Sequence, residues 1–213
     1  MAANTYRPSG LQPVKYLSGA AWNGQTHLHY FHASNATAAF NGDLVQMDLT
    51  NGGSPTGSRF PGLVAVQRYA AAQTNCRGVI VGFLPEPEFS QSPTASLGLR
   101  HRLASTARYA LVIDDPTVLF QVTETAADGT SAGTNLVGTD IGNNLELQTA
   151  NVAGNTLTGV SGMTMNNASK NTTATLPLRL VEYLQKEDNV YGNDFSKWVV
   201  KLNTVDLFNT TGL

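Results

Sequence analysis

RYALVIDDPTVLFQVTE, residues 108–124, decides the fold. Tyr109, Leu111 and Ile113 alternate with Ala110 and Val112. After Asp115-Pro116 the alternation resumes, with Val118, Phe120 and Val122 set against Leu119 and Gln121. Successive strand side chains point to opposite faces, so the first run carries apolar groups on both sides and both can be buried. The residue before a proline is pushed out of the helical region, and Asp starts turns. The stretch therefore predicts a strand, a corner and a second strand. Asp114 and Asp115 also raise a chemical question, because two carboxylates that share a proton make a catalytic dyad. Adjacent strand residues diverge, so the spacing favours a corner over acid–base work.

Working outward, THLHYFHASNATAAFNGDLVQMDLT predicts two short strands around the turn Asn41-Gly42-Asp43. GLVAVQRYA and GVIVGFLPEP predict two more, split by AAAQTNCR, which fits either a break or one helical turn. TLPLRLVEYLQ and KWVVKLNTVDLF complete the set, and Trp198, Val200 and Leu202 share a face opposite Lys201 and Asn203. NGGSPTGSRFPG is a loop by composition, and LPEPEFSQSPTASLG a proline-punctuated surface excursion. Between residues 125 and 175 charge nearly vanishes and Gly, Thr, Asn and Ala dominate. There Leu145-Glu146-Leu147 and Thr156-Leu157-Thr158 are expected as short strands and GVSGMTMNN as a hairpin, all decorating the main sheet. No long helix is expected. The fold class is all-β, a barrel or sandwich of short strands with long loops and an extended N-terminal arm. The arm, residues 1–24, carries Pro8 and Pro13, and reads equally as a first strand with a loose terminus or as an arm that grasps a partner. Residues 25–213 form a single β-domain with the Gly/Thr/Asn-rich stretch as an insertion.

Composition narrows the function. Of 213 residues, 13% are charged, about half the ~25% of ordinary soluble domains. An uncharged polar surface loses little hydration when a partner covers it. The net charge is -2 with no run of Lys or Arg, which speaks against nucleic acid as a partner. No apolar run approaches the ~18 residues of a membrane span. The single cysteine, Cys76, excludes an internal disulfide and is expected as a small buried hydrophobe. The start, MAANTYRPSG, lacks the basic-then-apolar pattern of a signal peptide, so synthesis in a reducing, aqueous compartment is expected.

Catalytic signatures are missing: no nucleophile elbow, no phosphate-cradling loop, no dinucleotide fingerprint. His27-x-His29-x-x-His32 places two imidazoles on one strand face, but no carboxylate with obvious spacing completes a metal set. The expectation is a non-enzyme without cofactor or metal. A rival reading is a carbohydrate-binding β-module stacking sugars on Trp22, Tyr30 or Trp198, of which Trp198 sits in a core-like alternation.

Six stretches occur in order: AAFNGDLVQMD, CRGVIVGFLPEP, STARYALVIDDPTVLFQVTE, GTDIGNNLEL, TATLPLRLVEYLQKEDN and KWVVKLNTVDLF. Together they resemble proteins commonly encoded near the major capsid protein of tailed bacteriophages, which act as cement or decoration subunits on the head. The resemblance spans most of residues 38–208 as short patterns, without a catalytic set to carry over. It implies a chain made in the host cytoplasm and placed on the virion exterior. Its implied partners are the major capsid protein and copies of itself, as a dimer or trimer. An irregular, proline-bearing start with large side chains suits an arm that pins the subunit. Tyr6, Arg7, Pro8, Tyr16 and Trp22 are its candidate interface residues. Other virion parts (neck, tail or fibre) share these requirements.

Overall fold

The computed structural model describes residues 4–70, 75–85, 100–149 and 153–208. These residues form twelve strands and three short 3-10 turns. The strands are β1 (Gln12–Tyr16), β2 (His27–Phe31), β3 (Leu44–Met47), β4 (Val66–Arg68), β5 (Gly78–Phe83) and β6 (Arg108–Ile113). They continue as β7 (Val118–Thr125), β8 (Asn144–Leu145), β9 (Leu147–Gln148), β10 (Thr164–Asn166), β11 (Leu178–Tyr183) and β12 (Lys197–Leu202). The fold is all-β, as the alternating pattern predicts.

Two sheets result. One follows the order β2-β6-β5-β3-β4, all antiparallel. Its ends approach each other where Tyr30 N–H donates to Val64 O at 3.1 Å, just ahead of β4. The other follows β8-β11-β12-β7-β10-β9, with β1 added alongside β7. β8 and β9 stand at opposite ends of that order yet are separated in sequence by Glu146 alone. The sheet must therefore curl until its two ends nearly meet, which gives it a barrel-like form.

The quoted stretch joins the sheets. β6 belongs to the first and β7 to the second, and Asp114 to Thr117 make the corner. Asp115 holds that corner by accepting from Thr117 N–H at 2.8 Å and Thr117 hydroxyl at 2.6 Å. Alternation then assigns side chains to two cores. Val45, Ile80, Ala110 and Val112 fill one cluster with Phe31 and Val66. Their neighbours Leu44, Val79 and Ile113 turn the other way, into the main core with Phe120, Val122, Trp198 and Val200. A strand buried on both faces is what the doubly apolar pattern of residues 109–113 requires.

The chain between 125 and 175, expected to decorate the sheet, supplies β8, β9 and β10 and buries Leu136, Leu145, Leu147, Met163 and Met165 in the main core. GVSGMTMNN contributes one strand, not a hairpin: β10 runs parallel to β7 and antiparallel to β9. Thr156-Leu157-Thr158 is a turn and not a strand, because Asn155 Oδ1 accepts from Leu157 and Thr158 N–H at 2.9 and 3.1 Å. The LPEPEFSQSPTASLG excursion falls almost wholly, and the centre of AAAQTNCR, outside the described residues.

Candidate functional site

The N-terminal stretch, where the interface candidates lie, is laid along the chain's own body. β1 pairs antiparallel with β7, Gln12 opposite Gln121 and Tyr16 opposite Val118. Upstream, Asn4 bridges to the far end of the sequence, donating to Val190 O at 3.0 Å and accepting from Val190 N–H at 2.7 Å. Tyr6 donates its hydroxyl to Gly129 O at 2.8 Å, and its ring lies 5.2 Å from that of Phe195. Phe195 is held at a φ of 56°, a left-handed conformation rare for a bulky residue. Pro8 is half-buried and Arg7 exposed. Tyr16 donates to Asn23 Oδ1 at 2.6 Å and, like the half-buried Trp22, packs against the main core. Tyr6, Tyr16 and Trp22 are thus engaged within the chain, whereas Arg7 faces outward.

A charge cluster that the sequence did not assemble sits where the two sheets meet. Asp114 is 7% exposed, and its Oδ1 lies 2.6 Å from Nδ1 of His27, a side chain 65% exposed. Asp114 Oδ2 is 3.9 Å from His29 Nε2 and 3.8 Å from Arg77 Nη2. The Arg77 guanidinium spans the cluster, donating from Nε to His29 Nε2 at 3.3 Å and from Nη1 to Asp206 at 3.2 Å. Because His29 accepts at Nε2, its ring proton sits on Nδ1, which faces His27 O at 3.4 Å. Burial pushes the His29 imidazole below its ordinary value, with Arg77 adding to the effect. Burial likewise raises the Asp206 carboxyl, against the pull of Arg77.

The cluster matches half of each chemistry weighed from the sequence. A buried carboxylate that orients an exposed imidazole is the acid–base half of a catalytic triad. Among the described residues, however, no hydroxyl or thiol hydrogen-bonds to His27 as a nucleophile would. His27 and His29 do gain a carboxylate, Asp114, 87 positions away from His27. Yet the guanidinium lies against His29 and Asp114, where a metal ion would need to sit, and like charge repels it. No group of three or more His, Cys, Asp or Glu among the described residues is arranged to hold a metal. His32 turns away, accepting from Ser34 N–H at 3.1 Å. Cys76 is buried beside this cluster, and burial pushes its thiol up to about 12, which leaves it unreactive at neutral pH.

Tyr30 and Trp198 are buried, so neither offers a face to a sugar. Several large apolar side chains face outward instead, chiefly Leu157 at 89%, Phe208 at 69% and Leu49 at 66%. Val137 and Ile141 are exposed on either side of the 3-10 turn Gly138–Asp140, whose first N–H bonds to the hydroxyl of the exposed Tyr191 at 2.5 Å. No described helix is long and apolar enough to cross a membrane. The fold and its surfaces define an all-β protein built of two curled sheets that both contribute to the main core. No protein-family model matches the sequence, and searches of curated proteins and of solved structures return no match.

Proposed function

We propose that this chain is a structural protein of a tailed-bacteriophage virion that binds the outer capsid surface and clamps adjacent major capsid subunits. The observation that carries the reading is the ordered set of six stretches. They fall on β3, β5, β6, β7, β8, β11 and β12, so the likeness lies in the scaffold and not in one loop. Surface chemistry supports it. Exposed apolar groups such as Leu49, Leu157 and Phe208 stand in a surface of Thr, Asn, Ser and Gly, which a neighbour can cover at small desolvation cost. A dimer or trimer on a repeating lattice would multiply weak contacts into tight retention.

Binding of the purified chain to capsids made without it tests the reading. Retention through a sedimentation step, together with a higher temperature of capsid rupture, is expected, since a ligand of the intact shell stabilises that shell. Removing residues 2–22 is a poor probe of the interface, because it also deletes β1 and the fully buried Leu11. Arg7→Ala is the cleaner one. As an interface hot spot Arg7 would contribute ~2 kcal/mol, so the variant should bind roughly 30-fold more weakly while folding normally. A wild-type chain that washes off the capsids would count against the proposal.

A further inference from the structure

Three asparagines in this chain precede a glycine, in Asn23-Gly24, Asn41-Gly42 and Asn51-Gly52, and the fold holds each pair differently. An Asn-Gly pair can react with itself. The Gly nitrogen, once it has lost its proton, attacks Cγ of the Asn side chain, and no β-carbon on the glycine obstructs the approach. A C–N bond forms, Nδ2 leaves as ammonia, and a cyclic imide results. Water then opens the imide at either carbonyl, giving aspartate or isoaspartate. Asparagine and water thus become an acid and ammonia, with no change of oxidation state.

Two of the pairs are held out of this reaction. Asn41 is half-buried, its Nδ2 donates to Arg100 O at 3.3 Å, and the attacking group, Gly42 N–H, is tied to Ile80 O at 2.7 Å. A β-carbon on Gly42 would lie 2.6 Å from Ser9 O, so the N-terminal segment also blocks that peptide from turning. At Asn51 the leaving group is what is held. Its Nδ2 donates to Asp48 Oδ2 at 2.9 Å and its backbone N–H to Asp48 Oδ1 at 3.2 Å, which turns the side chain toward Asp48. A carboxylate at that place also opposes negative charge developing on the amide.

Asn23-Gly24 stands in the loop between β1 and β2, and both residues are exposed. Gly24 has a φ of 86°, with nothing within 4 Å of where a β-carbon would be, so its peptide has room to turn. Two donors meet on Asn23 Oδ1: the Tyr16 hydroxyl at 2.6 Å and Gln25 N–H at 3.1 Å. The second closes a ring that contains the Asn23–Gly24 peptide bond, so the side-chain amide is folded back over the Gly24 nitrogen. Negative charge gathers on Oδ1 as that nitrogen adds. Hydrogen bonds to a charged acceptor are roughly twice as strong as those to a neutral one, so both donors favour the transition state over the starting amide. Both bonds go to the oxygen, which leaves the departing nitrogen outside them.

We propose that Asn23 is a site of spontaneous conversion to aspartate and isoaspartate in the folded chain, promoted by the Tyr16 hydroxyl and Gln25 N–H. The product carries a new negative charge between Trp22 and Gly24, and as isoaspartate it lengthens the backbone by a methylene group. Charge and chain path beside Tyr16 and Trp22 therefore change as the protein ages. The reaction needs no partner, so it goes beyond the capsid role and does not depend on it.

The folded, full chain would be incubated at mildly alkaline pH in heavy-oxygen water, which marks only conversion that occurs during the incubation. Fragmentation mass spectrometry then distinguishes aspartate from isoaspartate at the three positions. Conversion at Asn23 is expected roughly tenfold faster than at Asn41 or Asn51, the difference that about one hydrogen bond makes to a barrier. In the urea-unfolded chain the three sites, each followed by glycine, should convert at comparable rates. Tyr16→Phe keeps the ring and removes the hydroxyl, and should slow Asn23 while leaving Asn41 and Asn51 as they were. A variant that loosened the fold would instead speed those two. In that event Gln25→Pro, which deletes the other donor at an exposed position, makes the same test, and it too should slow Asn23. Folded-state conversion at Asn23 no faster than at the other two sites would overturn the proposal, as would a rate untouched by loss of either donor.

Discussion

At the scale of single residues the main core holds one acid with no cation described beside it. Glu124 is fully buried; Leu136 N–H donates to its Oε2 at 2.9 Å, and the side chains of Trp198, Asn167 and Ser196 lie close enough to favour its charged form, though none makes a well-aligned bond to Oε1. Burial pushes this carboxyl from 4.5 up to about 7, with the Leu136 N–H bond opposing the rise. An acid raised in the folded state keeps its proton there after the unfolded chain has lost it. Its contribution to stability is therefore complete below pH 4.5, falls as pH climbs toward 7, and is level above that. The loss amounts to something on the order of 3 kcal/mol. Glu124→Gln keeps an acceptor for Leu136 and cannot ionise. Relative to the wild type, it should unfold in urea at an increasing denaturant concentration as pH rises from 4.5 to 8. A constant difference between the two proteins across that range would show that Glu124 is not titrating in the core. The imidazole of His29 acts in the opposite sense: held below its ordinary value, it removes stability as pH falls below 6.5.

At the scale of elements, the N-terminal strand meets the first sheet at a crossing too tight for a side chain. Gly10 has a φ of 65°, and a β-carbon there would lie 2.6 Å from Ser161 Cβ and press on the Gly42 carbonyl. That same carbonyl accepts from Leu11 N–H at 2.9 Å. Asp43 locks the crossing from beneath, receiving Phe40 N–H at 2.9 Å, Arg68 Nε at 3.1 Å and the Ser161 hydroxyl at 2.5 Å. Gly10→Ala combines a strained backbone with overpacking and should cost about 2–4 kcal/mol, read as a lower urea midpoint. An unchanged midpoint would mean the crossing has slack. The strands on either side of the corner at Asp114–Thr117 were legible because alternation is local: residues 108–124 carry their own period, their own proline and their own turn-forming Asp115. The split of Leu145-Glu146-Leu147 into β8 and β9 was not legible. Their pattern is that of one strand, and only pairing with β11 on one side and β10 on the other divides them. The turn at Asn155 was there to be read, since Asn accepts readily from the N–H groups that follow it. The cluster of His27, His29, Arg77, Asp114 and Asp206 was beyond reach. Its members come from four separate stretches, and nothing local to any of them marks the others.

At the scale of the molecule, 13% charged residues and outward apolar side chains such as Leu157 and Phe208 make a surface that carries little charge. Both curled sheets contribute to the main core, and Leu49, Leu157 and Val137 stand exposed outside it. On the proposed function, such a surface would lose little hydration when a neighbouring subunit covers it. The most direct test is density-gradient sedimentation of virions, with this chain quantified against the main shell protein. Co-migration in near-stoichiometric copy number is the predicted result. A handful of copies per particle would contradict a role across the shell and assign the chain to a neck, tail or fibre, and absence from the particles would contradict the virion reading altogether.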